Sequence, residues 1–382
     1  MSTAARRQMA GGRQRHRTRT VRVGAVEIGG RSQISVQSMT TTDTRDTAAT
    51  LAQIRELAEA GCDIVRVAVP DMQAAEALGE LVAGAPVPLV ADVHFDYRLA
   101  LAALRHGVAK LRINPGNIGA AERVRAVADA AGERGVPIRI GVNAGSLERG
   151  VLEEVEKGCM PLGLAMAESA LREAALLEGS GFRDIVLSVK ASQVTATIEG
   201  YRELAARCDY PLHIGVTEAG AGARGLIKSA VGIGALLAEG IGDTLRVSLT
   251  GPPVEEVTAG RRILQALQLR AYGPEIVSCP TCGRAAYDVA AMVRELEARI
   301  ESDKVLRTLE CTVAVMGCVV NGPGEARAAD IGYAGGGAGN GMLFAGGRQL
   351  GTVTPAEAVE KLIEALRALA GARASSSPER ER

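Results

Sequence analysis

Eight short β-branched runs, each followed by a stretch of helical period, recur along residues 34–249 and constrain the fold more than any other feature of the chain. The runs are 34–39, 64–69, 89–93, 110–113, 138–142, 185–189, 212–216 and 245–249. Between them, Ala/Leu/Glu/Arg stretches such as 47–60, 120–134 and 223–238 carry the apolar spacing of amphipathic helices. Strands alternating with helices build parallel sheets. Eight such units over this length fit a (β/α)8 TIM barrel better than an open doubly wound sheet, so the fold class is α/β. The run 21–28, ahead of the first unit, reads as a lead-in strand or hairpin.

A barrel of this composition packs without aromatic bulk: aromatic residues are 2% of the 382, and Trp is absent, which leaves Ala, Val, Leu and Ile to fill the core. Lys+Arg and Asp+Glu balance at 44 each, so no overall charge draws the chain to nucleic acid or a membrane. Within residues 1–20, Arg6, Arg7, Arg13, Arg15, Arg17 and Arg19 occur with no acidic residue. No aromatic residue is interleaved with them, and the segment reads as a disordered basic tail rather than a nucleic-acid arm. No apolar run is long enough to span a bilayer. Seven cysteines, an odd number, without an apolar leader point to a reducing compartment, the cytoplasm, and against a disulfide framework.

The helical rhythm breaks at Tyr272-Gly273-Pro274. The expected organisation is therefore a barrel domain over 21–270, a small α/β module over 275–370 and a second disordered tail, Ser- and charge-rich, over 371–382. Within the module the pattern gives a strand at 276–278, a helix at 289–300, a strand at 312–315, a Gly-rich hairpin at 335–347 and a helix at 355–369.

Residues two apart on a strand share a face. The strand ends carry polar pairs in that spacing: Asp92 and His94, Arg112 and Asn114, Ser188 and Lys190, Arg246 and Ser248. Arg139 and Asn143, a further two positions apart, likewise share one face, and Arg66 lies in the second strand. In a barrel these side chains converge on the C-terminal mouth, where such enzymes keep their active sites. Four arginines and a lysine around one cavity call for an anion, and the planar guanidinium grips phosphate oxygens in pairs. The expected ligand is small and multiply phosphorylated. Asp92 is placed to fix the tautomer of His94, and Glu218, just after the seventh strand, is either a salt-bridge strut or a proton donor.

Gly220-Ala221-Gly222-Ala223-Arg224-Gly225 matches the dinucleotide fingerprint by letter, but the next strand ends in Thr250-Gly251 without the ribose-binding acid. It reads as a barrel loop.

Four of the cysteines fall in the second module: Cys279 and Cys282 as a CxxC, Cys311, and Cys318 on a glycine-flanked loop. Spacing alone leaves a four-thiolate zinc site and an iron-sulfur cluster both open. Cys311 begins a strand whose Val313 and Val315 share its face, as a core residue does. Glu325, seven positions after Cys318, suggests a cluster with one weaker, exchangeable oxygen ligand.

The strings Ser278-Cys279-Pro280-Thr281-Cys282 and Met316-Gly317-Cys318-Val319-Val320-Asn321-Gly322-Pro323-Gly324-Glu325 resemble the cluster motifs of the 4-hydroxy-3-methylbut-2-enyl diphosphate synthase family of isoprenoid biosynthesis. The likeness continues through Val36-Gln37-Ser38-Met39-Thr40, Ala91-Asp92-Val93-His94, Leu111-Arg112-Ile113-Asn114-Pro115-Gly116-Asn117-Ile118-Gly119, Gly141-Val142-Asn143-Ala144-Gly145-Ser146 and Gly215-Val216-Thr217-Glu218. It covers nearly the whole chain apart from the tails. The resemblance implies a [4Fe-4S] cluster on Cys279, Cys282, Cys318 and Glu325, with Cys311 left out. It implies reductive opening of a cyclic diphosphate, 2-C-methyl-D-erythritol 2,4-cyclodiphosphate, with electrons from flavodoxin or ferredoxin. Arg66, Arg112, Asn114, Arg139, Asn143, Lys190, Arg246, Ser248 and Asn321 would then contact the substrate, while Asp92, His94, Glu218 and Glu325 serve the chemistry. A head-to-tail homodimer is implied as well.

Overall fold

The β-branched runs pair side by side in the computed structural model, which describes residues 15–119, 121–336 and 339–376. The chain forms two units, divided after Arg270. In the first, β1 (Thr20–Val23) and β2 (Val26–Gly29) make an antiparallel hairpin. Eight parallel strands follow: β3 (Ser35–Met39), β4 (Ile64–Ala68), β5 (Leu89–Asp92), β6 (Lys110–Ile113), β7 (Ile138–Asn143), β8 (Ile185–Lys190), β9 (His213–Ile214) and β10 (Thr244–Leu245). Their order is β8-β7-β6-β5-β4-β3-β10-β9, and a parallel bridge between Leu187 and Leu212 joins the two ends into a barrel.

Helices after these strands start on side-chain caps where the loops are short. Asp46 accepts from the Ala49 N–H at 3.0 Å, Asp71 from Ala74 at 2.9 Å and Asp96 from Arg98 at 2.9 Å, so each Asp satisfies a donor that the helix leaves free. The hairpin stoppers the barrel. Val23 and Ile28 pack on Ile64 and Val90, which share the inward faces of β4 and β5 with Arg66 and Asp92.

Strands β9 and β10 are shorter than expected. Beyond Ile214 and Leu245 the two chains part into loops, with the Arg246 N–H bonded to the Ile214 carbonyl at 3.0 Å as the last rung. Residues 15–20, expected in a disordered tail, are instead tied to the barrel. Arg15 pairs with the buried Asp243 at 2.8 Å, and Arg19 with Asp209. A buried carboxylate needs such partners, and their distance in sequence hid them. Residues 1–14 and 377–382, the rest of the expected tails, lie outside the described residues.

The second unit is a five-stranded sheet, β11 (Glu275–Ser278), β12 (Thr312–Met316), β13 (Ile331–Gly335), β14 (Gly341–Ala345) and β15 (Arg348–Val353), in sequence order. The first three strands are parallel and the last two antiparallel. The Gly-rich segment is therefore more than a hairpin, since β14 is the middle strand of a three-strand meander. Helices Val289–Ser302 and Pro355–Ser376 cover one face, bringing Leu296, Ile300, Leu362 and Leu366 onto Val313, Val315, Ile331 and Tyr333. The last helix runs past the expected 369 because Arg373 donates to the Glu310 carbonyl and reaches Asp330 at 3.5 Å. Among the described residues, no helix is long and apolar enough to cross a membrane.

Candidate functional site

Parallel register assembles the barrel's charges. Asp92 on β5 lies opposite Arg112 on β6, Arg112 opposite Arg139 on β7, and Asn143 opposite Lys190 on β8. Arg112 donates to Asp92 at 3.1 Å, and Arg66 reaches the other oxygen of the same carboxylate at 3.6 Å. The His94 ring nitrogens lie 3.1 and 2.9 Å from Arg112 Nη1, and Nε2 is 3.6 Å from Asp92. Burial opposes ionisation of Asp92, yet Arg66, His94 and Arg112 hold its carboxyl well below the usual carboxylate range.

The cations outnumber their carboxylates. Burial and the neighbouring Arg246 and Arg112 bring Arg66 down to about 10 against the help of Asp92. Burial together with Arg66 and Arg112 pulls Arg139 well below its ordinary value. Lys190 falls the same way through burial and the four arginines 139, 246, 66 and 112. Arg139 donates to Ser188 at 3.2 Å, while its Nε and Nη2 are buried without a partner. Like charges opposite one another on adjacent strands are unfavourable alone, and orphaned guanidinium donors are costly. An anion in the mouth relieves both.

Sequence reasoning missed Glu256. It sits on helix Pro253–Ala266, is 3% exposed, and accepts from Arg246 at 3.1 and 3.2 Å, Ser38 at 2.8 Å and the Leu249 N–H at 3.1 Å. Its signal was present in the sequence. Glu256 shares the apolar stripe of Gly260, Ile263 and Leu264, where an acid is out of place. Among the described residues, Lys110, bonded to Gln37 alone at 3.2 Å, and His213, with both ring nitrogens unpartnered, add two further buried basic groups in the barrel.

The remaining expected residues are placed unequally. Asn114 is buried one residue beyond β6, and Ser248 is half-buried two residues beyond Arg246. Glu218 is exposed, with φ at 51° and its carbonyl accepting from Lys228 at 3.5 Å. Its carboxylate does not join the arginine cluster among the described contacts.

In the second unit the sulfur groups differ in character. Cys311 is buried among Val313 and Val315, and burial pushes its thiol up to about 12. Cys279 accepts from the Gly317 N–H at 3.2 Å, which brings the CxxC loop against the Cys318 loop. Thr281, inside the CxxC, takes φ of 59°. The backbone N–H groups of Val320, Asn321 and Gly322 draw the Cys318 thiol below its ordinary value. Cys282 and Asn321 are exposed on the same loops, and Glu325 is exposed in the first turn of helix Gly322–Ala328, which Asn321 precedes. Among the described residues no three His, Cys, Asp or Glu side chains are gathered into a ligating group. The donor chemistry fits a soft metal centre all the same, because N–H donors stabilise the thiolate, and the thiolate is the ligand.

A TIM barrel with a cationic mouth, joined to a module of backbone-cradled thiols, defines a class: an oxidoreductase acting on a small anionic substrate. Residues 18–261 match the family model described as the GcpE TIM-barrel domain, and residues 275–368 the GcpE protein C-terminal domain. The chain is 56% identical over 351 residues to the 4-hydroxy-3-methylbut-2-en-1-yl diphosphate synthase (flavodoxin) of Symbiobacterium thermophilum, covering 92% of this chain and 93% of that one. It is 56% identical over 347 residues to the enzyme of the same name from Geobacter sulfurreducens, with 91% and 96% covered. The Clostridium acetobutylicum enzyme is 53% identical over 350 residues, with 92% and 98% covered. The chain belongs to this family, the iron-sulfur oxidoreductases of isoprenoid biosynthesis that make 4-hydroxy-3-methylbut-2-en-1-yl diphosphate.

Proposed function

We propose that the barrel mouth binds 2-C-methyl-D-erythritol 2,4-cyclodiphosphate and that the enzyme opens its ring by a two-electron reductive dehydroxylation, releasing water and 4-hydroxy-3-methylbut-2-en-1-yl diphosphate. The observation that carries this reading is the group of five basic side chains, Arg66, Arg112, Arg139, Lys190 and Arg246, whose only ion-pair partners among the described residues are Asp92, His94's neighbour, and Glu256. They would hold the diphosphate and stabilise the charge that develops as the ring C–O bond breaks. Asn114, Asn143 and Ser248 would fix the sugar hydroxyls from the strand ends, with Asn321 doing so from the loop after Cys318. Asp92 keeps His94 and Arg112 oriented, and His94 or Glu218 would move protons.

Cys279, Cys282, Cys318 and Glu325 would hold a [4Fe-4S] cluster, which supplies electrons one at a time when bound. Glu325 contributes a hard oxygen donor among thiolates and so a more weakly held corner. The relatives carry flavodoxin in their names, which favours flavodoxin over ferredoxin as the electron donor. A cytoplasmic, head-to-tail homodimer completes the proposal.

Anaerobically purified protein should contain about four iron and four sulfide per chain. With reduced flavodoxin it should consume the cyclodiphosphate, and Arg112→Ala should weaken substrate binding about tenfold or more. One zinc per chain, without iron, would instead reveal a zinc-stapled phosphate-binding barrel.

A further inference from the structure

One carboxyl group beside the mouth has no part in the site described above. Glu173 lies on helix Leu162–Glu178, on the buried stripe of Met166, Ala170, Ala174 and Leu177, and is 8% exposed. Among the described residues it pairs with no cation: the nearby Arg172 turns to Glu148 at 3.7 Å, and Arg112 is engaged by Asp92. Glu173 Oε2 is buried without a hydrogen-bond partner, and so is Asn114 Oδ1. Both side chains border Gly116, where a methyl group would stand 3.1 Å from Asn114 Oδ1 and 3.4 Å from Glu173 Oε1.

Two buried, unpartnered acceptors bordering the same glycine are unfavourable, and a single proton removes the conflict, because a carboxylic acid donates where a carboxylate cannot. We propose that Glu173 is a positioning residue that works as the neutral acid: its O–H donates to Asn114 Oδ1 and leaves the Asn114 N–H groups directed at a substrate oxygen. The assignment rests on the reading of Asn114 as a substrate contact.

The surrounding charges are consistent with it. Burial dominates and, with Arg112 on β6 opposing and Glu148 after β7 assisting, Glu173 is pushed up to about 8. No other charge, from helix Ala121–Glu133 or from β8, enters that balance. The proton is therefore held at neutral pH and lost as pH rises through about 8.

The test is calorimetric titration of the cyclodiphosphate into anaerobic, cluster-loaded enzyme across about pH 6.5 to 9. Wild type should lose affinity above pH 8, about tenfold by pH 9. Glu173→Gln keeps a donor that cannot ionise. It should bind as wild type at neutral pH and show no alkaline loss. Glu173→Ala should bind weakly throughout, with KM raised more than kcat is lowered. A Gln variant that folds but binds poorly at neutral pH, or that keeps the alkaline loss, overturns the assignment, as does a flat wild-type profile. If the Ala variant does not fold, the other two profiles decide. Arg112→Ala separates the two readings. If it binds the cyclodiphosphate like wild type, the substrate assignment fails. If it does not bind while Glu173→Gln behaves as wild type at every pH, only the Glu173 role fails.

Discussion

Asp92 shows how much one residue can organise. It is 6% exposed and serves Arg66, Arg112 and His94 at once, so its loss leaves one buried and one largely buried guanidinium group without a counter-ion. Breaking a buried pair from one side costs about 3 to 5 kcal/mol, and Asp92→Asn should lower the urea stability at pH 7 by about that order. The pH dependence has a definite sign. Folding depresses the Asp92 carboxyl below its unfolded value of about 3.9. Its stabilisation is complete above that value and fades as pH falls from there toward the folded-state value. The gap between wild type and Asp92→Asn should therefore narrow on acidification, and a gap constant down to about pH 2 would show that Asp92 does not carry the charge. The thiols allow an equally local test. Cys318→Ser should abolish the brown absorbance of the loaded enzyme, whereas Cys311→Ser, a buried apolar thiol replaced by a hydroxyl, should keep the colour and lose about 1 to 2 kcal/mol of stability. Bleaching of the Cys311 variant alone would reverse their roles.

Helix Pro253–Ala266 is the element that most clearly joins packing to the site. A methyl group on its Gly260 would stand 2.8 Å from Leu245 and 3.2 Å from Val36, both fully buried on β10 and β3. That close approach lets Glu256, one turn earlier, reach Arg246 and Ser38. Gly234 offers a contrast, since a methyl group there on helix Gly222–Ala238 would meet nothing within 4 Å. Replacing a helical Gly by Ala gains about 1 kcal/mol in propensity, while overpacking costs about 1 to 3 kcal/mol. Gly234→Ala should raise the thermal midpoint and Gly260→Ala lower it, and a rise in both would refute the tight seat. The same elements show what the sequence reveals. Continuous β-branched runs between stretches of helical period located all eight barrel strands because such strands are buried on both faces, and the two-residue spacing at the strand ends gathered Arg66, Asp92, Arg112, Arg139, Lys190 and Arg246 toward one site. Glu256 and Glu173 escaped because they lie on helices, where acids are usually solvated, and only their places on buried stripes marked them. Which carboxylate answers which arginine is set by contacts between residues far apart in the chain, as for Arg15 with Asp243.

At the scale of the whole molecule, the chain's exit from the barrel bears on assembly. Arg270, the last residue of the first unit, donates to the Ile34 carbonyl at 3.2 Å and to Asp63 at 2.6 Å, so it sits at the N-terminal ends of β3 and β4. Arg112, Lys190 and Arg246 lie toward the opposite, C-terminal ends of β6, β8 and β10. The proposed head-to-tail homodimer has one subunit's thiol loops serve the barrel of a second copy. Complementation decides it. Arg112→Ala disables a barrel and Cys318→Ala disables a cluster loop, and each protein alone should be inactive. After subunit exchange at equal ratio, half of the dimers are mixed, and each mixed dimer holds one site made from an intact barrel and an intact loop. The mixture should then recover about a quarter of wild-type activity. Sites built within single chains give no recovery at any ratio, because every chain in the mixture carries a defect.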